Sequence, residues 1–87
     1  MARYELRFKT SVSRDLRGIP KLDVLRLIKR AEALRDDPRP KGCEKLAARE
    51  LYRVRQGVYR IVYSVDDGKL AVEVVKIGHR RGVYQQR

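Results

Sequence analysis

From Leu51 to Tyr63 apolar and polar residues alternate on either side of Gln56-Gly57, and that pattern admits little besides a β-hairpin. With Gln56-Gly57 as the loop, pairing runs outward as Arg55 with Val58, Val54 with Tyr59, Arg53 with Arg60 and Tyr52 with Ile61. Tyr52, Val54, Tyr59, Ile61 and Tyr63 then share one face, as a core needs, while Arg53, Arg55 and Arg60 share the other. Like charges directly opposite in a sheet destabilise it by a few tenths to ~1 kcal/mol. Folding alone gives no reason to set Arg53 against Arg60, whereas a polyanion lying across that face relieves the repulsion.

The charge of the whole chain points the same way. Lys and Arg outnumber Asp and Glu 22 to 11 in 87 residues, for a net charge of +11, which favours nucleic acid or an acidic protein over a membrane. At this length, with no internal repeat or linker, residues 1–87 read as a single domain around one core. No apolar run approaches the ~20 residues of a membrane-spanning helix, and Arg3, Glu5 and Arg7 stand where a signal peptide is apolar. The expected location is cytoplasmic. Cys43 has no second cysteine to pair with, and Cys43 with His79 is too small a set for a zinc site. The expected chemistry uses no metal and no cofactor.

Elsewhere Tyr4, Leu6 and Phe8 alternate with Glu5, Arg7 and Lys9, the period of a half-buried strand. Thr10 or Ser11 caps a short helix carrying Val12, Leu16 and Ile19. Pro20 opens a longer one with Val24, Leu27, Ile28, Ala31 and Leu34 along one side, which ends at the Asp36–Pro40 loop. After a further loop over 41–45 and the hairpin, Asp67-Gly68 is a two-residue turn signal leading into a strand from Lys69 to about Ile77. That turn sets Tyr63 against Val72, Ile61 against Val74 and Arg60 beside Val75, and the adjacent Val74 and Val75 predict a bulge or burial on both faces. The order is β-α-α-β-β-β: an α+β fold with two helices on one face of a four-stranded, mainly antiparallel sheet, and the arginines on the open face.

Arginine offers phosphate a planar fork that stays charged at any working pH. Several converging arginines hold a phosphodiester and stabilise the charge that grows on it during transfer. RNA carries its own nucleophile in the 2′-hydroxyl, so what remains is orientation and two proton transfers. Tyr84 and His79 are the candidates for the proton, and the residues alone leave the choice open; Tyr84 also has a ring on which a splayed base can stack. Plainer roles stand beside these: His79 as a solvated residue, Tyr52, Tyr59 and Tyr63 as core aromatics, and Arg55 as an edge charge that discourages strand pairing.

Three segments, Leu51 to Arg55, Val58 to Tyr63 and Ile77 to Tyr84, together closely resemble the RelE branch of the RelE/ParE superfamily of type II toxins. The resemblance spans essentially the whole chain, including the Asp37–Pro40 loop and Lys45-Leu46. It implies a microbial ribonuclease type of fold and an endoribonuclease that cuts messenger RNA in the ribosomal A site. In that family the 2′-hydroxyl attacks without a metal, translation stops, and an acidic RelB-like antitoxin neutralises the toxin, usually in a heterotetramer. By motif, Arg60 falls on the family's phosphate-binding arginine, Arg80 on a second arginine that stabilises the transition state, and Tyr84 on the tyrosine that stacks on the scissile nucleotide. Arg53 and Arg55 occupy positions where the best-known member has RNA-contacting lysines, Arg81 adds a further RNA contact, and His79 stands where that member has lysine. The stretch from Arg80 to Tyr84 is shorter than in that member. Because guanidinium does not deprotonate, Arg53 and Arg55 are expected to position and neutralise, which moves the proton work to Tyr84 and His79. Lys29, Arg30 and Arg35 read either as a wet helix face or as an antitoxin-docking surface. The competing expectation is a ParE-like toxin that binds DNA gyrase without catalysis.

Overall fold

The computed structural model describes residues 3–46 and 50–79, and within them the chain forms seven elements. These are β1 (Glu5–Phe8), α1 (Val12–Leu16), α2 (Lys21–Ala33), β2 (Glu44–Leu46), β3 (Leu51–Gln56), β4 (Tyr59–Asp66) and β5 (Ala71–His79). One sheet runs in the order β1-β5-β4-β3-β2, antiparallel except where β1 lies against β5. The α+β architecture is as expected, with five strands in place of four. The added strand, β2, pairs Glu44 with Arg53 and Leu46 with Leu51. Three residues are too few to display an alternation, so this segment reads as loop in the sequence.

Pro20 stands immediately before α2, with φ −54° and ψ 142°, and its carbonyl accepts the Val24 N–H at 3.0 Å. Its locked φ and missing N–H suit that position. Leu27, Ala31 and Leu34 recur at helical spacing and bury completely against Val54, Ile61, Tyr63, Val72, Val74 and Ile77 of the sheet. Tyr63 anchors this core: its ring stacks on Tyr52 with centroids 5.8 Å apart, and its hydroxyl donates to the carbonyl of the buried Pro38 at 2.7 Å. Burial raises the Tyr63 phenol above its ordinary pKa, so the hydroxyl stays protonated as that donor.

The short α1 supplies what the sheet lacks at one edge. β1 covers β5 only from Ala71 to Val74, and beyond that point Asp15 of α1 accepts the Ile77 N–H at 3.1 Å and meets Lys76 Nζ at 3.4 Å. A side-chain carboxylate thus takes the place of a neighbouring strand. Arg35, one-third exposed, also has a structural role. Its Nε donates to the Tyr4 carbonyl at 3.0 Å and ties the end of α2 to β1.

Both hairpin registers differ from the expectation. Gly57-Val58 is the first loop, so Arg55 faces Arg60, Val54 faces Ile61, Arg53 faces Val62 and Tyr52 faces Tyr63. Gly57 has φ +62° while Val58 has no positive φ, as a two-residue turn with glycine leading requires. The second loop is four residues, Asp67 to Leu70, pairing Asp66 with Ala71 and Tyr63 with Val74. Asp67 is drawn out of a tight turn by Arg39, which donates to its two carboxylate oxygens at 3.2 and 2.9 Å, and by the Tyr4 hydroxyl at 2.7 Å. The expected bulge is present: Tyr63 pairs with Val74 and Val62 with Lys76, leaving Val75 as the extra residue. Arg60 consequently lies beside Gly78, not Val75.

Candidate functional site

The shift at the first turn moves the β3–β4 pairings by two residues, so side chains of those strands keep their faces though their partners change, whereas on β5 the bulge at Val75 adds one residue and reverses the faces beyond it. On the face away from α2 two rows cross the sheet: Glu44, Arg53, Val62 and Lys76 in one, Arg55, Arg60 and Gly78 in the next. The like-charge opposition is real, but it sets Arg55 against Arg60 and not Arg53 against Arg60. Arg53 stands one row away, about 7 Å along the strand from Arg55. Three guanidinium groups from two strands therefore serve one small area, at a spacing that long arginine side chains can close around a single phosphate.

Their environments differ. Arg55 is exposed, the Arg53 side chain keeps 13% of its accessible surface, and Arg60 keeps 8% as a residue. The expectation of a fully open arginine face thus fails at Arg60, which with the adjacent Val62 is buried. Among the described residues Arg60 is the one buried charged side chain. Burial restricts the rotamers of such a group and thins the water that screens it, which strengthens its field on a neighbouring anion.

One anion is already there. Glu44, directly across from Arg53, accepts hydrogen bonds from Arg53 Nε at 2.9 Å and from Arg53 Nη2, both at Oε1. The bond to Arg53, its charge, and the charges of Arg55 and Arg60 hold the Glu44 carboxyl below the ordinary carboxylate pKa. Sequence reasoning missed Glu44 because its place opposite Arg53 depends on β2, the strand too short to announce itself. It also missed Gly78, which faces Arg60 without a side chain of its own.

His79 is not brought to this group. It pairs with Tyr59, which shares the helix-side face with Ile61 and Tyr63, and its ring meets the Tyr59 ring edge-on with centroids 6.0 Å apart. The bulge at Val75 changes the count of residues along β5 and so decides which side His79 takes. Arg80, Arg81 and Tyr84 lie outside the described residues.

A comparison with family models matches residues 6–84 to the ParE toxin of the parDE type II toxin-antitoxin system. Toxin RelG of Mycobacterium tuberculosis is 31% identical over 87 residues, a match covering 95% of this chain and 98% of that one. Among solved structures, the RelBE2 toxin-antitoxin complex of Mycobacterium tuberculosis aligns with a TM-score of 0.79 at 27% identity, over 90% of this chain and 99% of that one. The archaeal RelE-RelB complex of Pyrococcus horikoshii gives a TM-score of 0.79 at 27% identity, over 90% and 96%. A mutant of the E. coli toxin RelE in the free state gives 0.76 at 27% identity, over 98% and 93%.

Proposed function

The chain belongs to the RelE/ParE superfamily as a RelE-type toxin of a type II toxin-antitoxin system, and we propose that it is a ribosome-dependent endoribonuclease that cuts messenger RNA. The observation that carries this reading is the arginine face, where Arg55 and Arg60 stand opposed with Arg53 in the adjoining row. A non-catalytic, gyrase-binding toxin gives no account of a buried arginine grouped with two others on one face of the sheet.

In the proposed reaction the substrate's 2′-oxygen attacks the adjacent phosphorus, the P–O5′ bond breaks, and the products carry a 2′,3′-cyclic phosphate and a 5′-hydroxyl. Arg60, fixed by burial, holds the phosphate and stabilises the added charge of the transition state. Arg53 and Arg55 position the strand; Arg80 and Arg81 are assigned to the transition state and to the RNA backbone. Tyr84 stacks on the scissile nucleotide and manages the proton, since His79 sits against Tyr59 on the other face. No step in this scheme requires a metal ion.

The solved complexes of RelE with RelB support an antitoxin partner, and a chain of net charge +11 suits an acidic one, in a heterotetramer neutralised until the antitoxin is lost. The site of action is the cytoplasm, where ribosomes and message are. The test is purified ribosomes programmed with message, with mass analysis of new RNA ends. Cuts within codons bearing cyclic phosphate are expected. Intact message together with inhibited DNA supercoiling would overturn the reading in favour of gyrase binding.

A further inference from the structure

Glu44 and an RNA phosphate need the same donors. The carboxylate takes two hydrogen bonds from Arg53, whose side chain is 13% exposed and therefore stays where β3 puts it. The Glu44 side chain is 51% exposed and sits on β2, the last strand of the sheet, so it can rotate into solvent without disturbing any other pairing. A carboxylate left in place beside an incoming phosphate sets two anions together over one cation, which is unfavourable in a site half withdrawn from water.

We propose that Glu44 is a built-in counter-anion that occupies Arg53 in the free protein and gives way when a nucleic-acid phosphate binds there. The proposal rests on the reading of the arginine face as a phosphate-binding surface. It makes Glu44 a brake: the toxin engages RNA backbone only where other contacts compensate for parting this pair, which disfavours casual binding to free RNA. It also carries a signature in salt dependence. An arginine neutralised from within the protein contributes less to the exchange of small ions on binding than one paired only with solution ions.

The experiment measures binding of a short single-stranded 2′-O-methyl RNA to the full chain over a range of KCl concentrations. That probe has no nucleophile, so binding is read apart from cleavage, and a protein that binds it but leaves ribosome-bound message intact loses the ribonuclease reading and keeps this one. Glu44→Gln is expected to bind roughly three- to tenfold more tightly at low salt, with a log–log salt slope steeper by about 0.7, the share of one further phosphate contact on a single strand. The gain should vanish in Glu44→Gln combined with Arg53→Ala. Glu44→Ala, which removes any amide that could itself grip Arg53, should show the same slope. Unchanged affinity and slope in both single variants would overturn the proposal. So would slower cleavage by Glu44→Gln without tighter binding, because the carboxylate would then be acting in the chemistry and not yielding to the phosphate.

Discussion

Arg60 and Tyr63 are three residues apart on β4, on opposite faces, and each concentrates one of the chain's two tasks. Arg60 is a cation withdrawn from water and set opposite another cation, the placement that the proposed transition-state role calls for. Arg60→Ala should slow cleavage of ribosome-bound message by on the order of 10² to 10³ in single-turnover assays. Arg60→Lys should recover only part, since an ammonium lacks the planar fork. Exposed Arg55 is expected to matter less, with Arg55→Ala costing within about tenfold and mainly in binding; near-normal rates for Arg60→Ala would remove the basis of the mechanism. Tyr63 answers to stability instead. Tyr63→Phe leaves the packing but strips a donor from the buried Pro38 carbonyl, so urea denaturation should show a loss of about 1–2 kcal/mol. An unchanged midpoint would mean that this carbonyl finds another donor.

Among the elements, α1 is the one whose purpose is least visible in the residues alone. Asp15→Ala should expose the Ile77 N–H and speed its hydrogen exchange, with a loss of about 1–2 kcal/mol, while Asp15→Asn, which keeps an acceptor, should lose less. Equal exchange in wild type and Asp15→Ala would deny α1 its role as edge cover. The core stripe of α2 and the faces of β3 and β4 were legible because periods of 3.6 and two are written into the order of apolar residues. Register was not. Alternation says which side a residue faces but is silent on its partner, and the choice between Gln56-Gly57 and Gly57-Val58 rests on which loop position needs positive φ. Asp67 misled for a different reason, because Arg39 and Tyr4, distant in sequence, claim the carboxylate that a tight turn would have used. β2 and its Glu44 follow from β3 and could be placed only once β3 had a partner on that side. At the site, the grouping of Arg53, Arg55 and Arg60 survived a wrong register because an even slip conserves faces. His79 did not, because a one-residue bulge does not conserve them.

For the molecule as a whole, an excess of cations on a small surface makes each ionised carboxylate a structural element as well as a charge. Protonating every Asp and Glu would take the chain from +11 to the +22 of its lysines and arginines alone, and self-repulsion would grow with it. Two carboxyls resist this. Glu44 is held below the ordinary range by Arg53, and Asp67 by its hydrogen bonds from Arg39 and Tyr4. A group whose folded pKa lies below its unfolded value stabilises fully above the unfolded value, near 4, and that contribution disappears as pH falls through the folded value. Thermal midpoints should therefore stay level from neutrality down to about pH 5, then drop steeply below about 4. Asp67→Asn should lower the neutral-pH midpoint and flatten the acid slope, because it removes the Arg39 pair that ties the Asp36–Pro40 loop to the β4–β5 turn. Added salt should soften the acid loss by screening the repulsion, and should do so more for wild type than it shifts either protein at neutral pH. An acid slope identical in wild type and Asp67→Asn would mean that general repulsion alone, and not this pair, sets the lower limit of the fold.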